Sequence, residues 1–229
     1  MEEVQAGALY VVATPIGNLK DMTYRAQNIL SRVDCIAAED TRTSGVLMQH
    51  YGIKTKLRSY HSYNLKTETQ KLIDLMLQGK SIALISDAGT PGISDPGYQL
   101  VQACIENDIK TIPVPGASAL TAALPVSGLP VNRFVFEGFL PLKKGRKTRL
   151  EFLSNDERTI VFYESPHRII RTVRDLFEYF GDRRCVMARE LTKKFEEIYR
   201  GTLSQLKGRL DERKVKGEIV LLVAGKSMQ

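Results

Sequence analysis

Tryptophan is absent from the 229 residues, and only three residues are cysteines. Cys35, Cys104 and Cys185 are widely spaced and form no C-x-x-C pair. The sequence therefore predicts neither a disulfide framework nor a structural zinc site. No stretch reaches the roughly 18 consecutive apolar residues that a membrane-spanning helix requires. The short acidic N-terminus lacks the basic and apolar regions of a signal peptide, so we expect a cytoplasmic protein.

Positive charge is unevenly distributed along the chain. The formal net charge is +7. Residues 1–125 contain 11 Lys or Arg against 12 Asp or Glu, whereas residues 126–229 contain 22 against 14. The whole positive excess lies in the second half. A basic excess on one side predicts an anionic partner, and a nucleic acid is the leading candidate.

Strand and helix signals alternate through the first half of the chain. Apolar runs at 8–13 and 81–86 are typical of strands that are covered on both faces. Between the strand signals, apolar residues recur at helical spacing. Strands that alternate with helices predict a parallel sheet. Further strands are predicted at 35–38, 57–61 and 110–114.

A break in both periodicities separates two predicted domains. Residues 127–132 contain Gly and Pro, which interrupt helices and strands alike. We predict an N-terminal α/β domain over 1–127 and a C-terminal α/β domain over 128–229. Strands of the second domain are predicted at 134–139, 159–163, 184–188 and 218–224, with helices at 166–180 and 203–210.

Three loops at predicted strand ends have the composition of a binding site. Residues 13–19 follow the first strand but contain one glycine, which disfavours a G-x-G-x-x-G dinucleotide site. Residues 86–97 include three glycines, two prolines and two aspartates, in a connection longer than the usual ~2–6 residues. Residues 114–118 follow another strand. Ligands of open α/β sheets bind beyond the carboxyl ends of the strands, so these loops predict a site for a polar small molecule.

The sequence of these loops resembles the tetrapyrrole methylase superfamily, and most closely its branch that methylates ribosomal RNA. The resemblance is carried in the first half by LYVVATPIGNL at 9–19, AEDTR at 38–42, ISDAGTPGISDPG at 85–97 and PGAS at 115–118. In the second half it is carried by FEGFLP at 136–141, YESPHR at 163–168, ARELTK at 188–193, FEE at 195–197 and GEIV at 217–220.

The resemblance implies a two-domain α/β methyltransferase with a parallel N-terminal sheet, a mixed C-terminal sheet and the methyl donor, S-adenosylmethionine, in the cleft between the domains. It implies 2′-O-methylation of a cytidine in the decoding region of bacterial small-subunit rRNA, free or in the 30S subunit, by a homodimer. The residues themselves predict neither a metal site nor membrane association. Tetrapyrrole-modifying relatives carry a G-x-G-x-G-D loop after the first strand, and TPIGNL at 14–19 departs from that pattern.

By the family pattern, the donor is expected to contact residues in four parts of the chain. These residues are Asp87, Ala88, Gly89 and Thr90 in the long loop, Ser118 and Ala119 in the third loop, Phe136, Gly138 and Leu140 in the second domain, and Glu218 and Ile219 in the last strand.

A ribose hydroxyl is a weak nucleophile, so a nearby base or cation should assist its attack. The candidate catalytic acids are Glu39, Asp40, Asp95 and Glu190, and for each of them a salt bridge or a helix cap is the alternative role. Asp87→Ala is expected to weaken donor binding, and Glu190→Ala to lower turnover more than donor affinity.

A basic segment at 143–149 places five basic residues among seven and is interpreted as a phosphate clamp for RNA, with a solvated helix start as the alternative. Phe139 or Tyr163 could stack on a flipped base, with a core role as the alternative. Two other functions stay open: a small-molecule methyltransferase of the same superfamily, and a non-catalytic RNA-binding assembly factor. The predicted RNA contacts are Lys143, Lys144, Arg146, Lys147, Arg149 and Arg168.

Overall fold

The computed structural model describes residues 3–95 and 97–227. Its contacts divide the chain into two compact units, Met1–Ser118 and Ala119–Gln229. The domain boundary expected after residue 127 stays a prediction.

The first unit contains a parallel five-stranded sheet with the order β3-β2-β4-β1-β5, which confirms the predicted parallel sheet. A short 3-10 helix, Leu19–Asp21, precedes the first α-helix. In chain order the elements are β1 (Leu9–Val12), α1 (Tyr24–Arg32), β2 (Cys35–Ala38), α2 (Thr41–His50), β3 (Leu57–Ser59), α3 (Leu65–Leu77), β4 (Ile82–Ile85), α4 (Tyr98–Glu106) and β5 (Thr111–Val114).

Helices cover both faces of this sheet, which explains why its central strands are continuously apolar. Alternate side chains of a strand point to opposite faces. Tyr10 of β1 therefore packs in one core with Ile29 of α1, whereas Leu9 packs in a second core with Leu72 of α3 and Leu100 of α4. All four residues of β4 and three of the four residues of β1 are buried, which favours apolar side chains along both strands.

The edge strand β5 contains a proline. The carbonyls of Lys110 and Val114 accept hydrogen bonds from Leu9 and Ala13 along β1. Because successive backbone groups of a strand alternate in direction, those of Pro113 face away from β1. The carbonyl of Pro113 accepts a hydrogen bond of 3.2 Å from Arg25.

The second unit contains a mixed five-stranded sheet with the order β6-β7-β10-β8-β9. β6 and β7 are parallel, and the remaining pairs are antiparallel. In chain order the elements are α5 (Ala119–Ala123), β6 (Phe134–Gly138), α6 (Arg146–Leu153), β7 (Thr159–Glu164), α7 (Ile169–Phe180), β8 (Arg184–Arg189), β9 (Glu197–Thr202), α8 (Leu203–Glu212) and β10 (Ile219–Val223).

One apolar core joins α6, α7 and α8 to the second sheet. Leu150 of α6, Leu176 of α7 and Leu206 of α8 pack against Phe162 of β7 and Leu221 of β10. The polar edge strand β9 was not predicted from the sequence. α6 begins within the basic segment, where a helix start was the alternative interpretation. Across the described residues, no helix combines the length and the apolar composition that a membrane crossing requires.

Candidate functional site

The three loops of the first unit are joined to one another at the carboxyl edge of its sheet. Thr14 and Gly89 exchange two backbone hydrogen bonds, of 2.8 and 3.1 Å, which link the loop after β1 to the loop after β4. The hydroxyl of Thr90 donates to the carbonyl of Ala117 at 3.1 Å, which links the second loop to the third. The structure therefore brings together the three loops that the sequence predicted as a binding site.

Glycine allows a close approach within this group of loops. Gly89 has a φ of +85°, which L-amino acids with a side chain rarely adopt, and a Cβ there would lie 3.4 Å from the side chain of Ile16. A Cβ at Gly116 would lie 3.0 Å from the Cβ of Ala13. A side chain at Gly116 would crowd Ala13, and one at Gly89 would be strained by its φ, so both loops approach closely only with glycine at these positions.

Acidic side chains lie at the same edge. β2 and β4 are neighbours, so Glu39 and Asp40 after β2 lie beside Asp87 after β4. The backbone N–H of Asp40 donates to Oδ1 of Asp87 at 3.1 Å. Burial and the negative charge of Glu39 raise the pKa of Asp95 to about 6. Burial and the charge of Asp87 also raise the pKa of Glu39. The carboxylates therefore repel one another, and a positively charged ligand group would relieve that repulsion.

Asp40 differs from the other acids at this edge. Both of its carboxylate oxygens accept hydrogen bonds from the Arg42 guanidinium, at 3.1 and 2.7 Å, and Oδ1 also accepts from the backbone N–H of Arg42. The side-chain bond from Arg42 is the main cause that lowers the pKa of Asp40 to about 2. Asp40 thus caps α2, and the raised pKa values make Glu39 and Asp95 the better candidates for accepting a proton near neutral pH.

Asp95→Asn is expected to stabilise the protein at pH 7.5. A carboxyl whose pKa is raised by folding binds its proton more tightly in the native state, so stability falls as pH rises from about 4, the unfolded value, to about 6. The amide removes this cost above pH 6. We expect the Tm to rise by roughly 2–6 °C at pH 7.5. At pH 4 the two proteins should differ little. A variant that is less stable at pH 7.5 would contradict the proposed repulsion.

A second polar cluster lies in the second unit, where Glu190 follows β8 and Glu218 precedes β10. The ammonium of Lys193 donates to Oε1 of Glu190 and to Oε2 of Glu218, both at 2.9 Å. Oε1 of Glu190 also accepts the backbone N–H of Glu218 at 3.0 Å. Burial tends to raise the pKa of Glu190, but the hydrogen bonds from Lys193 and Glu218 outweigh it and the pKa is lowered. Glu190 is therefore better suited to hold Lys193 than to accept a proton.

The backbone around this cluster is strained. Glu190 and Thr192 have φ values of 51° and 67°, in the left-handed region that residues with side chains seldom occupy. Such strain is found where the surrounding structure enforces a particular geometry, often at functional sites. Gly217 has a φ of +90°, and a Cβ there would lie 2.3 Å from the side chain of Glu190. The sequence did not predict this contact, because Glu190 follows β8 whereas Gly217 precedes β10, far along the chain.

The predicted donor contacts of the second unit differ in burial and in backbone conformation. The ring of Phe136 is half-buried and lies edge-on to Tyr163, with 4.9 Å between the centroids. The side chains of Leu140 and Ile219 are buried in the apolar core, so they are not suited to contact a polar ligand. Gly138 has a φ of +68° at a bulge in β6. These residues, and Ser118, Ala119 and Glu218, stay predictions as donor contacts.

The predicted RNA contacts fall into two groups. Arg146 is only 5% exposed, which corrects its assignment to an RNA-binding surface. Arg149 pairs with Glu137, and Arg168 donates to the carbonyl of Leu140. Both therefore already have partners within the chain. The exposed basic residues of the segment are Lys143, Lys144 and Lys147.

The described residues contain no group of three or more His, Cys, Asp or Glu side chains placed to hold a metal ion.

Comparison with known proteins identifies relatives over nearly the whole chain. A model of the family described as tetrapyrrole (corrin/porphyrin) methylases matches residues 8–207. Ribosomal RNA small subunit methyltransferase I of Synechocystis sp. is 53% identical over 221 residues, which cover 96% of this chain and 79% of that protein. The protein of the same name from Thermotoga maritima is 47% identical over 220 residues, which cover 96% and 99% of the two chains.

Solved structures share the fold at low sequence identity. Diphthine synthase matches with a TM-score of 0.76 and 17% identity, over 97% of this chain and 91% of that one. Uroporphyrin-III-C-methyltransferase from Thermus thermophilus matches with a TM-score of 0.65 and 21% identity, over 96% and 94%. At these identities the matches show a common fold and carry no information on substrate.

Proposed function

The chain belongs to the family of tetrapyrrole (corrin/porphyrin) methylases, and from this premise we propose that it methylates small-subunit ribosomal RNA at the ribose 2′-oxygen of a cytidine in the decoding region. The observation that carries the proposal is 47–53% identity over nearly the full chain to proteins named ribosomal RNA small subunit methyltransferase I. The choice of the 2′-oxygen and of cytidine rests on the family resemblance of the motifs.

The methyl donor is S-adenosylmethionine, and the carboxyl edge of the first sheet suits it chemically. The donor carries positive charge on its sulfonium and its amino group, and it supplies the methyl carbon that the nucleophile attacks. Glu39, Asp87 and Asp95 provide negative charge at this edge. The backbone of the loops joined through Thr14 and Gly89 provides N–H and C=O groups for the polar parts of the donor.

The residues of this chain have three tasks in the transfer. They must orient the ribose oxygen in line with the methyl carbon, take up the hydroxyl proton and stabilise the charge that develops on the oxygen. Asp95 has a pKa of about 6 and would take up the proton most readily near neutral pH. In the second unit, Glu190 and Glu218 hold the ammonium of Lys193, which has the charge that a developing oxyanion requires.

Exposed lysines support an RNA substrate. Lys143, Lys144 and Lys147 lie on one short segment of the second unit. Lys147 comes within 3.8 Å of Glu151 but remains largely exposed. Lysines without strong internal partners can replace the counterions of RNA phosphates, which makes binding favourable at low salt. We propose these three residues as phosphate contacts.

The proposal is tested by methyl transfer to defined substrates. The purified protein is incubated with radiolabelled S-adenosylmethionine and with either 30S subunits or naked rRNA from cells that lack this modification. Label on one cytidine 2′-oxygen supports the proposal. Faster transfer to 30S subunits would place the modification after subunit assembly, and faster transfer to naked rRNA would place it before. Donor binding without transfer to either substrate would favour a small-molecule methyltransferase. A protein that binds RNA but not the donor would be an assembly factor.

Two substitutions are expected to separate donor binding from catalysis. Asp87→Ala removes a carboxylate from the carboxyl edge of the first sheet, where we propose that the donor binds, and should raise the Kd for S-adenosylmethionine by roughly 10-fold. Glu190→Ala removes a support of Lys193 and should lower kcat more than it changes this Kd. Calorimetric titration of the donor and single-turnover transfer measure the two effects. Unchanged donor affinity in Asp87→Ala would contradict that assignment.

From the family resemblance alone, we further propose that the protein is a homodimer and that it acts in the cytoplasm. Sedimentation velocity tests the first of these statements, and fluorescence microscopy of the tagged protein tests the second.

A further inference from the structure

An aromatic side chain stands in solvent beside the acidic edge of the first unit. Tyr63 is 98% exposed, in the short connection between β3 and α3. A tyrosine ring left in water gains nothing for the stability of the fold, because its apolar surface stays unburied. Packing within the chain therefore does not account for its position, and the ring is available for contact with a ligand.

The connection that presents Tyr63 is held on both sides. The side-chain oxygen of Asn64 accepts the backbone N–H of His61 at 2.9 Å, and its side-chain nitrogen donates to the carbonyl of Ser59 at 3.0 Å. The backbone N–H of Asn64 donates to the carbonyl of His61 at 2.9 Å. Tyr60 is buried and shares a hydrogen bond of 2.9 Å with Thr69. The exposed ring is therefore carried by a fixed backbone, which reduces the entropy lost when it contacts a ligand.

His61 forms part of the same surface. Its ring lies edge-on to that of Tyr63, with 5.9 Å between the centroids. The backbone N–H of Tyr63 donates to Nδ1 of His61 at 3.3 Å. In the neutral ring the proton is then on Nε2, which can donate to an acceptor such as a carbonyl or ring nitrogen of a base.

Tyr63 and His61 follow β3, which ends beside the carboxyl edge where we propose that the donor binds. β3 pairs with β2 in parallel, with Ser59 opposite Ala38, so the two strands end side by side. The backbone N–H of Tyr60 donates to the carbonyl of Ala38 at 2.8 Å, directly before Glu39. The negative charge at this edge would repel a phosphate but not the flat face of a base. A neutral aromatic ring here is suited to a nucleobase.

We propose that Tyr63 stacks on a base of the single-stranded rRNA segment that contains the target nucleotide, with Nε2 of His61 donating to the edge of that base. This inference rests on the proposed function and extends it, since it places a base-contacting surface on the first unit. Stacking accepts any base, so Tyr63 contributes affinity and position more than sequence selection.

The absence of tryptophan allows a direct test. In Tyr63→Trp the new indole is the sole tryptophan of the chain. Its fluorescence should be quenched when a single-stranded oligoribonucleotide with the decoding-region sequence binds. The matched control is Ile105→Trp, at another exposed position of the same unit, near the C-terminal end of α4. Equal quenching in both variants, or none in Tyr63→Trp at saturating RNA, would overturn the proposal.

Kinetics provide a second test. Tyr63→Ala should lower kcat/KM for the RNA substrate by roughly 5- to 150-fold, the range expected for one stacked base. Tyr63→Phe keeps the ring and should stay within about 2-fold of the parent. The Kd for S-adenosylmethionine should not change in either variant. Equal losses in Tyr63→Ala and Tyr63→Phe, or a weakened donor Kd, would show that the ring does not stack on the substrate.

Failure of the inference differs from failure of the proposed function. If RNA quenches Tyr63→Trp but the parent protein transfers no methyl group, the stacking surface is supported and the rRNA methylation is rejected. Full transfer by Tyr63→Ala would leave the methylation standing and reject the stacking.

Discussion

Arg146→Met is expected to lower the free energy of unfolding by about 3–5 kcal/mol. The Arg146 guanidinium is buried and donates to Oδ2 of Asp175 at 2.7 Å, to the carbonyl of Pro141 at 3.0 Å and to the hydroxyl of Thr172 at 3.0 Å. Methionine fills much of the same space but removes the donor from all three acceptors, of which only Asp175 keeps a second cation nearby, Arg171 at 3.8 Å. Urea denaturation, with the slope compared between the two proteins, measures the loss.

The effect of this substitution should be large because Arg146 belongs to a buried network. The Thr172 hydroxyl, which accepts from Arg146, donates in turn to Oε2 of Glu164 at 2.5 Å, and Glu164 is buried in β7. Removing one member leaves others with poorer partners. Lys143→Met, on the exposed part of the same segment, is the control and should change stability by less than about 0.5 kcal/mol. If Arg146→Met were as stable as this control but bound RNA more weakly, Arg146 would return to the set of RNA contacts.

Gly217→Ala is expected to lower the rate of methyl transfer by roughly 100-fold. The new methyl group would occupy the space of the Glu190 side chain, and the φ of +90° is unfavourable for alanine. Glu190 must then move, and Lys193 loses one of its two carboxylate partners. Single-turnover transfer at saturating donor measures the rate, and the donor Kd reports whether binding changes as well.

Gly208→Ala is the matched control for that substitution. Gly208 lies in the exposed part of α8, and apart from its neighbours in the helix backbone no atom lies within 4 Å of the position of a new Cβ. Alanine is the better helix former, so this variant should gain up to about 1 kcal/mol of stability and keep the parental rate. If Gly217→Ala also kept the parental rate, the position of Glu190 would have no part in catalysis.

Much of the fold follows from sequence patterns that have a direct physical cause. The run at β4 is apolar throughout because helices cover both of its faces, so strand, burial and parallel pairing are predicted together. The grouping of Glu39 with Asp87 follows in the same way, since both come after neighbouring parallel strands. The loops at the carboxyl edge could therefore be predicted as a site before any contact was known.

The elements and roles that were missed depend on partners far away in the chain. β9 is a polar edge strand, so its composition does not predict a strand. Its extended conformation is stabilised by antiparallel pairing with β8. The basic run suggested that Arg146 faces solvent, but Asp175 lies on another helix. The acids also look alike in the sequence, whereas Arg42 gives Asp40 a pKa of about 2 and burial gives Asp95 one of about 6.

The proline of β5 has a consequence for association between molecules. An edge strand with free N–H and C=O groups can be extended by a strand from another chain, which is a common start of aggregation. At Pro113 the outward nitrogen carries no hydrogen, and the outward carbonyl is already bonded to Arg25. A foreign strand would find neither a donor nor a free acceptor at this position. At this position the β5 edge of the first sheet therefore resists extension by a strand from another molecule.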